Sequence, residues 1–184
     1  MCPFPLTSIP TLPAAGNCCL WQIHKKAVGQ RKVDWQAPYP CATGTTRRGV
    51  LSLELALFTF SAPCDQNPGL VPDNSLVRAR GIVIRREDGL ADFASRFNII
   101  TPAGAIIFRG HIELLDRIGT HHDPFGPEPC NPESHIEGWL VGLGEGAMVD
   151  WSLRVQFVAR GQLPAAAGPF AVEGLINGVL ARCP

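Results

Sequence analysis

From Val50 onward, apolar and polar residues alternate along much of the chain. Successive side chains of a strand point to opposite faces, so this pattern predicts half-buried β-strands. Seven segments carry the composition of strands: Val50–Ser61, Leu76–Glu87, Asp92–Thr101, Ala105–Leu115, His135–Leu143, Met148–Arg160 and Phe170–Arg182. In Met148–Arg160 one face is Trp151, Leu153, Val155, Phe157 and Ala159, and the other is Ser152, Arg154, Gln156, Val158 and Arg160. In Ala105–Leu115 the apolar face is Ile106, Phe108, Gly110, Ile112 and Leu114, opposite Ile107, Arg109, His111 and Glu113.

The joints between these segments are turn-like. Asp88-Gly89, Pro102-Ala103-Gly104 and Gly144-Glu145-Gly146 each suit a tight connection, which makes consecutive strands antiparallel neighbours. No strand alternates with an amphipathic helix, so a parallel α/β sheet is disfavoured. Glycines share the apolar face in Ile136, Gly138, Leu140, Gly142 and in Phe170, Val172, Gly174, Ile176, Gly178, Leu180. Glycine weakens a strand, so its recurrence calls for sharp curvature, close backbone approach or room for a ligand. The expected fold is all-β, an antiparallel meander closing into a small β-barrel of about seven to eight strands. Curvature is the favoured reading of the glycines, and an interior cavity is the functional alternative.

Residues 1–49 look different. They hold six prolines, four of the seven cysteines and no sustained period, and their basic residues outnumber Asp34 to give a formal +5, leaving −5 for the rest of a chain whose charges cancel overall. The expectation is an irregular, poorly ordered N-terminal tail over 1–49, followed by a barrel domain over 50–184. Outward apolar residues Trp139, Val141, Leu143, Leu175 and Val179 would need covering by that tail or by a second subunit, which favours a homo-oligomer over a monomer.

Charge and composition narrow the partners. With sixteen basic and sixteen acidic residues and a single Tyr, nothing recruits nucleic acid. No run of about 18 uncharged apolar residues offers a membrane span. The N-terminus has no basic region ahead of an apolar core, so no secretory leader is expected there. Thr46-Arg47-Arg48-Gly49-Val50-Leu51 and the apolar stretch to Ala62 resemble a twin-arginine export signal, but Glu54 interrupts that stretch, and a first strand is the preferred reading. A cytoplasmic protein with reduced thiols is therefore expected, export through residues 46–62 and a disulfide such as Cys64 to Cys183 being the alternatives.

Candidate chemistry concentrates in the connection between the fourth and fifth predicted strands, Gly119–Ser134, which holds four prolines. His121, His122, Cys130 and His135 lie in it or at its edge, with Asp123, Glu128 and Glu133 among them. Imidazole, thiolate and carboxylate together are ligands that Zn²⁺ accepts, so these four residues form a candidate metal set, although their spacing matches no standard metal motif and a stiff polar loop with solvent-exposed or hydrogen-bonded histidines is the preferred reading. The metal-free alternative is acid–base chemistry by His121, His122 or His135 with a carboxylate such as Glu137. His111, Arg109, Glu113 and Glu137 could extend such a site if the polar face of the barrel were internal, but an ordinary solvated exterior is the preferred reading. There is no GxSxG elbow, phosphate-binding glycine loop, HExxH or dinucleotide fingerprint.

A short Gly-rich meander with a polar loop at one rim is similar in architecture to the barrels of the allene oxide cyclase and dirigent group, over residues 50–183 and without a shared motif. That resemblance implies isomerase- or cyclase-type chemistry as one expectation. The leading expectation is a barrel that binds a small, largely apolar molecule, with the 119–135 loop as rim or lid. A metal-dependent enzyme centred on the His/Cys loop and a non-catalytic oligomeric protein are the alternatives.

Overall fold

The computed structural model describes residues 18–36, 47–59, 69–86, 90–118, 133–162 and 169–182. Alternation is realised as eight strands: β1 (Cys19–Trp35), β2 (Arg47–Thr59), β3 (Ser75–Arg85), β4 (Leu90–Ile100), β5 (Ile106–Ile118), β6 (Glu133–Gly144), β7 (Trp151–Gln162) and β8 (Pro169–Arg182). Each pairs antiparallel with the next, and β1 pairs with β8, so the meander closes into a barrel with no free edge. One rung of the ladder runs Asp34, Val50, Ile82, Ala94, Glu113, Trp139, Gln156, Asn177 and returns to β1 at His24. The offset from Asp34 to His24 is ten residues, a shear that tilts the strands roughly 40° from the barrel axis. No helix among the described residues is long and apolar enough to cross a membrane.

All seven predicted strands are present, and an eighth lies where an irregular tail was expected. Residues 19–35 form β1, which pairs with β2 through Lys25–Trp35 and with β8 through Cys19–Lys32. Its inward face reads Ile23, Lys25, Ala27, Arg31 and Val33, all buried. Alternation is thus present in β1, but two of its core positions are charged, and that hides the period in a one-dimensional reading. The second strand also starts earlier than expected. Arg47–Thr59, the segment that resembles an export signal, is β2, and its Leu51, Leu53, Leu55 and Leu57 belong to the core.

The lumen is packed with side chains from every strand, including Phe93, Phe97, Phe108, Ile112, Leu140, Phe157 and Ile176. The inward glycines serve backbone approach. An added Cβ at Gly110 would meet the Val141 carbonyl oxygen, and one at Gly138 would meet that of Glu113, so β5 and β6 can coil closely only without side chains there. Of the three expected turns, Pro102–Gly104 holds as drawn, with Gly104 at φ +86° and its N–H donating to Thr101 O at 2.8 Å. Gly146 takes φ +57° at the start of a short 3₁₀ turn, Gly146–Met148. Asp88-Gly89 lies outside the described residues.

Two buried cations on β1 hold the ends of the lumen. The Arg31 guanidinium forms an ion pair with the Asp116 carboxylate, and both side chains are buried. In a closed ring of eight strands, β1 and β5 lie four strands apart in either direction, so this pair spans the barrel. Nearer the start of β1, the fully buried Lys25 ammonium donates to Thr59 Oγ1 at 3.0 Å and lies 3.6 Å from Asp73 Oδ1. Asp73 in turn accepts from Thr59 N–H at 2.7 Å and Thr59 Oγ1–H at 2.8 Å. Those hydrogen bonds, and then the Lys25 charge, hold the Asp73 carboxyl below the usual carboxylate range. Asn74, beside it, adopts φ 64°, a left-handed conformation that Asn tolerates. Trp21 and Trp151 pack at the same rim with ring centroids 4.5 Å apart. Outside the lumen, Val141 and Leu143 remain exposed, whereas Trp139, Leu175 and Val179 are half-buried. Cys18 is disulfide-bonded and its neighbour Cys19 is free and exposed, so the expectation of reduced thiols fails at Cys18; Cys64 and Cys183 lie outside the described residues.

Removing one member of a buried ion pair strands the other charge. Asp116→Ala is expected to lower stability by roughly 3–5 kcal/mol in urea unfolding, and the Arg31→Met/Asp116→Leu double variant to recover most of that loss. A double variant as unstable as the single one would show that the pair does not act as a unit. Because the Asp73 pKa is depressed on folding, its contribution is complete above the unfolded carboxylate value and is lost as pH falls through the folded one. The melting-temperature gap between wild type and Asp73→Ala should therefore be constant near neutrality and close below about pH 4. Without reductant, iodoacetamide followed by peptide mass spectrometry should modify Cys19 and leave Cys18 unlabelled.

Candidate ligand groove on the outer face

His121, His122 and Cys130 lie outside the described residues, so the proposed metal set is represented by His135 alone. Among the described residues, no three His, Cys, Asp or Glu side chains converge as metal ligands. His135 and Glu137 are two positions apart on β6, on its outward face, with His135 Nε2 3.8 Å from Glu137 Oε2. A carboxylate beside an imidazole can orient it for proton transfer. His111 and Glu113 repeat the arrangement on β5, at 3.0 Å. Arg109 reaches Glu145 at 3.3 Å, and all three side chains of this second group are exposed. The polar faces of β5 and β6 are therefore external, in line with the preferred reading of Arg109, His111 and Glu113 as a solvated exterior, and the internal alternative does not hold. Apolar alternation on these strands had already been satisfied by the opposite face.

Glu137 belongs to a depression of about 890 Å³ on the outside of the barrel, over β2 to β7. Two adjacent rungs of the ladder build it. One carries Ile82, Ala94, Glu113, Trp139 and Gln156; the next carries Arg48, Ile84, Asp92, Leu115 and Glu137. Ala94 has the shortest of these side chains, and the longer ones around it rise as walls. Ile82 and Ile84 are each 43% exposed, unusual for isoleucines that have a packed lumen available on the other face of their strand.

The charges of the groove are polarised. Arg48 and Arg86 stand on the β2–β3 side, where Arg86 Nε lies 3.3 Å from Asp92 Oδ2. On the β5–β6 side, Glu113 is directly opposite Trp139, and Glu137 precedes Trp139 by two residues on the same face. The Arg154 guanidinium sits over the Trp139 ring, 5.9 Å from its centroid, and steadies the indole. An apolar floor bounded by an indole and two carboxylates suits an apolar body that ends in a cation.

The sequence reading reached Glu137 and Trp139 but not their partners. Ile82, Ile84, Asp92 and Leu115 come from three other strands, and only the shear of the ladder brings them together. One local signal was available. Gly81-Ile82-Val83-Ile84 breaks alternation with apolar residues on both faces, which marks an outward apolar spot.

Comparison of the chain with protein-family models, with curated proteins and with solved structures finds no match.

Proposed function

We propose that this protein is a small-molecule-binding β-barrel whose ligand lies in the outer groove between β3 and β6, apolar body on Ile82, Ile84 and Leu115 and cationic end at Glu113, Glu137 and Trp139. The observation that carries the reading is the apolar floor of about 890 Å³ with the indole and both glutamates at one end. A volume of that size matches a drug-sized ligand, and three strand spacings, roughly 14 Å, separate the isoleucines from Trp139. The β5–β6 connection, which holds His121, His122 and Cys130 and was expected as a rim or lid, lies outside the described residues. Proton transfer by His135 with Glu137 on the bound molecule is the isomerase-type extension of the same site, since that pair borders the groove. The Cys18 disulfide favours an oxidising compartment over the cytoplasm as the protein's setting.

The test uses 2-phenylethylamine, its neutral isostere 2-phenylethanol and 3-phenylpropionate as probes, followed by tryptophan fluorescence with the Trp139→Phe variant as reference. The amine should perturb Trp139 and bind at least about tenfold more tightly than the alcohol, with the carboxylate weakest. Glu113→Gln/Glu137→Gln should bring the amine down to the level of the alcohol. Equal binding of the three probes would remove the cationic preference, and no response at Trp139 to any of them would remove the site.

A further inference from the structure

A second depression, of about 550 Å³, lies on the outer face over β1 to β4, and its chemistry is the opposite of the first. Lys32 pairs with Ser52 across β1 and β2, and Ser52 with Arg80 across β2 and β3. On the far side, Ala79 pairs with Phe97 and Ile82 with Ala94, which sets Arg80 beside Arg96. Like charges directly opposite on a sheet destabilise it, so two adjacent guanidiniums call for a counter-charge. The groove contains one carboxylate, Glu54, and its Oε2 already accepts from Arg78 Nε at 2.6 Å. Lys32 is neutralised by Asp34 at 3.0 Å. Among the described residues, Arg80 and Arg96 have no ion-pair partner, and Arg96's neighbour on β5, His111, adds no negative charge.

Ser52, with its short side chain, sits between Lys32 and Arg80, and the neutral groups of Gln30 and Asn98 line the same hollow. A row of cations around hydroxyl and amide donors is the inverse of a metal site and fits the oxygens of a multiply charged oxyanion. An added Cβ at Gly81 would strike the Ser95 side chain, and Ser95 Oγ–H donates to the Arg80 carbonyl at 2.5 Å.

We propose that this groove is a binding site for a small organic phosphate, its phosphoryl oxygens bridging Arg80 and Arg96 and its organic part lying toward Ser52, Gln30 and Asn98. The site is separate from the Trp139 groove, and neither proposal depends on the other. No aromatic side chain lines it, so it has no stacking platform for the bases of a nucleic acid.

Calorimetric titration with phenyl phosphate and with inorganic phosphate tests the assignment, alongside the Arg80→Ala, Arg96→Ala and double variants. Phenyl phosphate should bind, and each single variant should weaken it by roughly tenfold, as expected for loss of one charge-assisted contact. Both side chains are exposed, so the variants should fold, and without ligand their melting temperatures should equal or exceed that of the wild type because a like-charge contact is removed. Phosphate should then raise the wild-type melting temperature and leave that of the double variant unchanged. Inorganic phosphate binding as tightly as phenyl phosphate would overturn the organic part of the proposal. A single-stranded oligonucleotide binding more tightly than either would overturn the small-molecule assignment. Absence of binding at about 10 mM phenyl phosphate, or binding unaltered in the double variant, would overturn the site itself.

Discussion

The Arg31–Asp116 ion pair across the lumen is the constraint on which the rest of this barrel turns. A closed sheet of eight strands with a ten-residue shear could bury only apolar residues in its interior, and most of it does. This protein also places a guanidinium and a carboxylate on facing walls, where neither tolerates loss of the other. The pair fixes the inward face of β1, and with it the register of the strand that closes the ring between β2 and β8. Lys25, six positions earlier on the same face, is satisfied by Thr59 and Asp73 at the other end. Charge pairing toward both ends thus interrupts the apolar stripe of β1.

With the lumen packed, room for ligands is left on the outer face. Both hollows arise in the same way, a short side chain at a rung of the ladder surrounded by longer neighbours: Ala94 in one and Ser52 in the other. What differs is the chemistry of the neighbours. Ile82, Ile84, Leu115 and Trp139 with two glutamates suit an amine with an apolar body, whereas Arg80 and Arg96 suit an oxyanion. The two sites share the β3–β4 pair, one lying toward each end of Gly81, so a single strand pair carries a wall of both.

Strand positions from Ser75 onward were legible because alternation runs along most of each strand, and the inward faces of β5 to β8 largely follow the pattern, with Ile107 at the start of β5 buried against expectation beside the register shift at Ile99/Ile100. Barrel closure was legible in outline from the glycines, whose lack of side chains permits close coiling. The candidate site was legible only in fragments. His135 and Glu137 form a pair because they are two apart on one strand, a local relation; Glu137 and Ile84, or Arg80 and Lys32, come to share a rung only through register.

What the amino-acid sequence determined by itself is the set of elements whose stabilisation is local in pattern: seven strands, most of the buried faces of β5 to β8 and the turn at Pro102–Gly104. What the tertiary structure decided is β1 and both grooves. A lysine and an arginine on the inward face of β1 read as polar until Asp73, 48 positions after Lys25, and Asp116, 85 positions after Arg31, are brought to them. A buried charge is favourable only in the company of its partner, and that company exists only once the barrel is closed.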